Sequence, residues 1–373
     1  MALLQRTGFA SLKRFTALVV IAIFGLNTTG WSQGRTDGGK RDIDVATINL
    51  YVGADFTPVV TLDPSDPNFG LKLLGAVSTI YNNIVASNFP LRADALARQI
   101  VARGSDLIAL QEVTLIRRQS PGDAIAGGTT PATQVQVDYL AVLLDALQRH
   151  GGHYAVAAQV QDVDVEVPMA VSPTAFDDVR LTDRDVILVR TDLPPGHLRT
   201  SNPQGANFTA ALPLPIGISV LRGWCSVDVQ LRGRSFRFIN THLEDRLPLT
   251  LLDIQGLQAL QLLAGPAGTT MPVVLAGDFN SDANGNYSSA TYGLLTSGGG
   301  FTDAWNVGPG LTWGHDELLA DPSVPFLYRL DLILFRGGNF EAADAEVVDP
   351  QIGATRPLWF SDHAGVFAKL SIQ

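Results

Sequence analysis

Apolar residues in this chain fall into short runs that end at a polar side chain, separated by stretches in which they recur every three or four positions. Ile43 to Asn49, Asp106 to Glu112, Val186 to Val189, Val273 to Asp278 and Leu330 to Phe335 have the length and apolar density of buried strands. Trp224 to Leu231 and Phe236 to Thr241 flank Arg232-Gly233-Arg234, which reads as a hairpin. Helical spacing appears in Leu71, Leu74, Val77, Ile80, Tyr81, Ile84 and Val85, and after Pro90 in Leu96, Ala97, Ile100 and Val101. It returns in Val137, Leu140, Ala141, Leu144 and Leu147, which stop at Gly151-Gly152, and from Leu249 to Leu263. His153 to Val165 alternates weakly, as an edge strand or hairpin does, and the proline-rich stretch 191–215 reads as irregular. Strands interleaved with helices predict an α/β protein.

The N-terminus has a different pattern. Arg6, Lys13 and Arg14 precede an uncharged apolar run, Phe15 to Leu26, and then the small residues Gly30 and Ser32. That is the pattern of a secretory signal peptide, and the run is short for a permanent span. The expected organisation is a leader at 1–32, a polar, glycine-rich lead-in at 33–40 and a folded domain at 41–373, secreted or periplasmic. An uncleaved anchor is the competing reading of the same residues. The whole chain carries a net charge of −10, and losing the three leader cations takes it to −13. An acidic protein lacks the broad field that drives tight nucleic-acid binding, although a hydrolase needs only local positive groups. A lone cysteine, Cys225, forms no internal disulfide and fits a small core residue.

The candidate chemistry lies where the apolar runs end. Val273-Val274-Leu275-Ala276-Gly277-Asp278-Phe279-Asn280 delivers a carboxylate and a carboxamide two residues apart, on one face if the strand persists. Taken alone, Gly277-Asp278 and the following Ser-Asp-Ala-Asn-Gly-Asn also make an ordinary turn. Other ends repeat the pattern: Asn49, Glu112, and Asn240, His242 and Glu244 alternating on one face. Asp331 opens its run, and Asp362 and His363 open the last, Ala364 to Ala368. Arg184, among Thr182-Asp183-Arg184-Asp185 at a strand start, fits a surface ion pair and a phosphate contact equally. Asp55 and Thr312 border these segments and read as loop residues.

A site gathered from many strand ends is how α/β enzymes place their chemistry. Several carboxylates with two histidines and no cysteine pair favour a hard, oxygen-bound cation, Mg²⁺ first, with Mn²⁺ and Ca²⁺ meeting the same demand. No H-E-x-x-H or G-x-S-x-G is present, which weighs against a zinc hydrolase and a serine hydrolase.

Leu110-Gln111-Glu112-Val113, Asn240-Thr241-His242-Leu243, Gly277-Asp278-Phe279-Asn280, Arg329-Leu330-Asp331-Leu332-Ile333 and Ser361-Asp362-His363 occur in the order found in the endonuclease/exonuclease/phosphatase superfamily. From about Ile43 to Ile372 the chain resembles its deoxyribonuclease I-like nucleases, sphingomyelinases and inositol polyphosphate 5-phosphatases. The resemblance implies a four-layer α/β/β/α sandwich with two central mixed β-sheets. It implies metal contacts at Glu112, Asn49 and Asp362, and a water oriented and deprotonated by Asp278 with Asn280 beside it. His363, fixed by Asp331, and His242 would face the phosphoryl group, with Arg184 and Asn240 as substrate contacts. The implied reaction is hydrolysis of a phosphodiester or a phosphomonoester, whether of nucleic acid, phospholipid or a small diester, without an obligate protein partner. A catalytically silent secreted binding protein on the same fold is the reading from another class, and it predicts a gap in the constellation.

Overall fold

In the computed structural model the apolar runs become strands of two sheets whose inner faces meet. Residues 41–245, 253–322 and 326–372 are described; the leader 1–32, the lead-in 33–40 and positions 249–252 of the expected fourth helix lie outside the described residues. The first sheet contains β1 (Asp42–Asn49), β2 (Leu107–Gln111), β3 (Leu115–Gln119), β4 (Gln134–Asp138), β5 (Tyr154–Ser172), β6 (Ala175–Arg190), β15 (Phe340–Val348) and β16 (Gly365–Ile372). Their order is β15-β16-β1-β2-β6-β3-β4, with β5 paired along β6. The second sheet contains β7 (Leu198–Asn207), β10 (Gly223–Leu231), β11 (Arg234–His242), β12 (Val273–Asp278), β13 (Thr302–Asp303) and β14 (Asp331–Arg336), in the order β13-β14-β12-β11-β10-β7. A small ribbon pairs β8 (Leu212–Pro213) with β9 (Ser219–Val220). Each large sheet is mixed, with one parallel pair, β1 with β2 and β11 with β12.

Three apolar layers follow. Between the sheets lie Val45, Leu107, Ile187, Val227, Phe236, Phe238, Ile333 and Leu370, all buried. The outer face of the first sheet is covered by α3 (Phe89–Arg103) and α4 (Tyr139–Arg149), with Phe89 stacked on Tyr139. The outer face of the second carries α5 (Ile254–Ala264), through Ala259 and Leu262. Short helices α1 (Thr57–Val60) and α6 (Ala290–Gly293) sit in loops. α2 (Phe69–Ala86) packs Val77, Ile80, Tyr81 and Ile84 beneath the β5–β6 hairpin. This is the four-layer sandwich.

Some elements depart from the sequence reading. Leu71 and Val85, expected in the α2 stripe, are exposed at 72% and 59%. Val137 belongs to β4, and α4 starts at Tyr139 because the Asp138 carboxylate caps it by accepting from Leu140 N at 3.1 Å. The stretch expected to be irregular contains β7, an edge strand. Most of its side chains are exposed, so no alternation marks it, and Pro203 falls where the ladder is irregular opposite Ser226 and Asp228.

Candidate active site

Register explains how residues three hundred positions apart come together. In the first sheet Asn49, at the end of β1, pairs with Gln111, and Glu112 follows at the end of the parallel β2. β16 runs antiparallel to β1, so its start, preceded by Asp362 and His363, reaches the same edge. In the second sheet His242 pairs with Asp278 and Asp278 with Asp331 across three adjacent strands. Because β14 is antiparallel to β12, Asp331 reaches the edge from the beginning of its strand. Ser361 Oγ donates to Asn49 O at 2.8 Å and accepts from His363 N at 3.1 Å, tying the last segment to β1.

The backbone is shaped to aim these groups. Tyr51, Glu112 and Asn280 have φ of 55°, 55° and 48°, so a left-handed residue sits just past the ends of β1, β2 and β12. Asparagine tolerates this; for the other two it costs about 1–2 kcal/mol each. A Cβ on Gly277 would lie 2.0 Å from Thr241 O, so only glycine lets β12 approach β11 this closely beside Asp278.

Asp278 is 1% exposed and lies at the centre. Its Oδ1 accepts from Asn280 N at 2.9 Å and its Oδ2 from Asn49 Nδ2 at 3.0 Å. His242 Nε2 is 3.5 Å and His363 Nε2 3.7 Å from the same Oδ2. The other ring nitrogen of His363, Nδ1, is 2.8 Å from Asp331 Oδ2. Burial by itself pushes the His363 ring toward neutrality, but the charges of Asp331, Asp362 and Asp278 outweigh it and hold the imidazolium well above the usual histidine range. His242 goes the other way: burial, then the nearby Arg222 and His363, push it well below that range. Burial raises Asp278, with Asp331 adding to it, against the pull of His363 and the two donated hydrogen bonds. Two histidines therefore flank one carboxylate in opposite charge states, an arrangement that separates a cationic donor from a neutral one.

The donor set suits a hard cation. Asp362 is raised to about 6 by burial and by repulsion from Glu112 and Asp278, only partly offset by His363, and Asp331 Oδ1 is buried with no hydrogen-bond partner. A divalent ion is what such excess carboxylate calls for. Ligand atoms of Asp278, Asp331 and His363 also lie within 4.8 Å of one another. Within that trio Asp331 Oδ2 engages His363 Nδ1 at 2.8 Å, a carboxylate–imidazole pair set beside Asp278. Glu112 and Asp362 are the further carboxylates here that could hold such an ion.

Three expected roles change. Asn49, expected as a ligand, is a brace: its Nδ2 donates to Glu112 Oε1 at 3.1 Å as well as to Asp278, and its Oδ1 accepts from Tyr51 N at 2.8 Å. Asn240, expected to meet substrate, is fully buried between the sheets, donating to Leu110 O and Val186 O and accepting from Gln111 Nε2. Arg184, expected as a phosphate contact, donates to Val113 O at 3.0 Å and pairs with Asp138 at 2.7 Å, holding the turn after Glu112 from behind. Glu244 does not touch His242; its Oε1 is 3.4 Å from Arg222 Nη2, and Arg222 Nη1 is 3.0 Å from His242 Nδ1. Asp55 accepts from Thr57 N in its loop, whereas Thr312 Oγ1 accepts from Leu330 N and Asp331 N and so steadies the start of β14.

Arg92 and Arg222 escape sequence reading. Arg92, in the first turn of α3, is completely buried and donates to the carbonyls of Ser87, Leu50, Tyr51 and Phe360, clamping both loops that flank Asn49 and Ser361. An isolated arginine in an apolar helical stripe looks like a snorkelling surface residue. Arg222 follows a proline-rich stretch that carries no strand pattern.

The chain matches the model of the Endonuclease/Exonuclease/phosphatase family over residues 46–363. Solved structures share the fold at low identity. A family protein from Leptotrichia buccalis C-1013-b is 18% identical, covers 88% of this chain and 99% of its own, and has a TM-score of 0.50. One from Bacteroides thetaiotaomicron is 15% identical over 90% and 99%, with a TM-score of 0.53. One from Beutenbergia cavernae DSM 12333 is 19% identical over 89% and 72%, with a TM-score of 0.51. No curated protein matches the chain. The match spans most of the chain and takes in Asn49, Glu112, His242, Asp278, Asp331, Asp362 and His363, and on this ground the chain belongs to the endonuclease/exonuclease/phosphatase family.

Proposed function

We propose that the chain is an exported, Mg²⁺-dependent hydrolase that cleaves a phosphodiester, with water as the nucleophile. The observation that carries this reading is the single file His242–Asp278–Asp331 across the second sheet, met by Glu112, Asp362 and His363 from the first. Family members hydrolyse phosphate esters, and the residues here divide the work that reaction needs. Asp278, raised by burial and steadied by Asn280 N and Asn49 Nδ2, orients a water and takes its proton. The water oxygen bonds to phosphorus while the ester P–O bond breaks, and the leaving oxygen departs with the bonding pair. His363, kept cationic by Asp331, donates from Nε2 to a phosphoryl oxygen and neutralises charge that grows in the transition state. A divalent ion held by Glu112 and Asp362 supplies further neutralisation when bound.

Export rests on the leader pattern of residues 6–32. Among the described residues no helix is long and apolar enough to cross a membrane. A silent binding protein predicts a missing acid, amide or histidine, and each position of the constellation is filled. The test is to strip the purified protein with EDTA, restore Mg²⁺, and assay DNA, sphingomyelin, a phosphoinositide and bis(p-nitrophenyl) phosphate in parallel. Metal-restored hydrolysis of at least one is expected. No metal-restored turnover on any of the four contradicts the proposal.

A further inference from the structure

His242 has a neighbour that decides its chemistry. Arg222, just before β10, has a side chain only 15% exposed, with Nη1 3.0 Å from His242 Nδ1. A guanidinium has donors and no acceptor, so the contact has one chemical sense: an Arg222 N–H donates to the Nδ1 lone pair. An imidazolium would set N–H against N–H at that distance. Among the acids around Arg222 are Glu244, whose Oε1 is 3.4 Å from Nη2, and the buried Asp162 and Asp183. These keep the guanidinium charged and in place. With Nδ1 accepting, the single proton of the neutral ring belongs on Nε2, the nitrogen that faces Asp278 and Asn280.

What Nε2 meets there is informative. Asn280 Nδ2, itself only a donor, lies 3.2 Å away and competes with Arg222 for the one lone pair of the neutral ring; the charged guanidinium, at 3.0 Å from Nδ1, makes the stronger bond and takes it. That amide is oriented by Leu243 O, which accepts from Nδ2 at 2.9 Å; turning it over would set two oxygens against each other. Nδ2 keeps a second N–H, so two donors stand side by side, with Asp278 Oδ2, 3.5 Å from Nε2, the nearby acceptor. Adjacent donors aimed at one point beside a water-holding carboxylate make a seat for an anionic oxygen. We propose that Arg222 is a positioning residue that fixes His242 as the neutral Nε2–H tautomer, so that His242 and Asn280 form a two-donor cradle for a phosphoryl oxygen. His242 then acts as a donor and not as a proton-transfer group. The identity of the anion rests on the phosphohydrolase reading above; the tautomer does not.

Two readouts test this. Uniformly ¹⁵N-labelled, metal-free protein has six histidines, and H242Q identifies the resonances of this one. Long-range ¹⁵N–¹H spectra at pH 7 should show the Nε2–H pattern in the wild type, lost or mixed in R222M. A wild-type ring that is Nδ1–H or doubly protonated overturns the proposal without any variant, which covers the case in which R222M fails to fold; R222K, which keeps the charge but not the fork, is the second variant. With Mg²⁺ and bis(p-nitrophenyl) phosphate, R222M should lower kcat by about a hundredfold with a smaller change in KM. In an H242Q background, where the glutamine amide donates without help, the same substitution should cost far less. Equal losses in both backgrounds, or an unchanged tautomer in R222M, would make Arg222 only a counter-ion for the acids. A chain that hydrolyses no phosphate ester sinks the functional reading and leaves the spectra to decide the role of Arg222.

Discussion

Replacing Asp331 with Asn keeps the side-chain shape and removes one charge from the most tightly held histidine in the site. Asp331 Oδ2 is 2.8 Å from His363 Nδ1, and both residues are buried. A hydrogen bond to a charged group contributes about 1.5–3 kcal/mol and a neutral one about 1 kcal/mol, so D331N should weaken the hold on the imidazolium by about 0.5–2 kcal/mol. That equals about one pH unit, or about a twofold to thirtyfold fall in kcat if the cationic ring carries transition-state charge. His363 should not relax fully, because Asp278 and Asp362 still face Nε2 at 3.7 and 3.9 Å. The amide fits: its oxygen can face Nδ1–H, and its nitrogen lands where Asp331 Oδ1 has no partner. The sign for stability follows from the raised ring. A histidine held above its unfolded value of about 6.5 adds stability below that pH and loses the contribution as pH rises through the folded value. Urea unfolding of metal-free protein at pH 6 and pH 9 should therefore show a smaller drop in D331N than in wild type. A variant with wild-type kcat and a wild-type drop between the two pH values would refute the dyad.

Three further outcomes follow from the same geometry. R92M leaves the carbonyls of Ser87, Leu50, Tyr51 and Phe360 without their donor, and urea unfolding should show a loss of about 3–5 kcal/mol; a loss under 1 kcal/mol would show that water replaces it freely. Burial raises Asp106 to about 7 from an unfolded value of 3.8, so its contribution is full below the lower value and is lost as pH rises through the upper one. D106N should flatten the pH dependence of stability between pH 4 and 8, and an unchanged slope would contradict the assignment. R184Q should lower stability by about 1–3 kcal/mol through Asp138 and Val113 while leaving KM within about twofold; a tenfold rise in KM would restore Arg184 as a phosphate contact.

Much of the fold could be read from the sequence because its strands are buried on both faces. β2, β12 and most of β14 are continuous apolar runs, a signal that survives without alternation. The strand-end residues Asn49, Glu112, His242, Asp278, Asp331 and His363 were legible for the same reason, since a polar group closing or opening such a run has to be accounted for at the sheet edge. β7 was not legible, because an exposed edge strand has no apolar face to display. Parity on a strand also misled: Asn240 and His242 share a face, but the edge of the site falls between them, so one serves the core and the other the cleft. Arg92 and Arg222 act across hundreds of positions or through another side chain, and no local pattern encodes a partner that distant. Arg184 showed its charge but not its direction, which the register of β6 against β3 and β5 decides.

Asp278 is the residue on which the proposed hydrolysis turns. D278N preserves volume in a fully buried position and removes the group that takes the proton from water. Hydrolysis of bis(p-nitrophenyl) phosphate should be measured with Mg²⁺ and after EDTA, for wild type and D278N, with circular dichroism confirming that both are folded. Mg²⁺-dependent turnover is expected in the wild type, with a fall in kcat of about 10²- to 10⁴-fold in D278N. A folded D278N that turns over at the wild-type rate would contradict that role for Asp278.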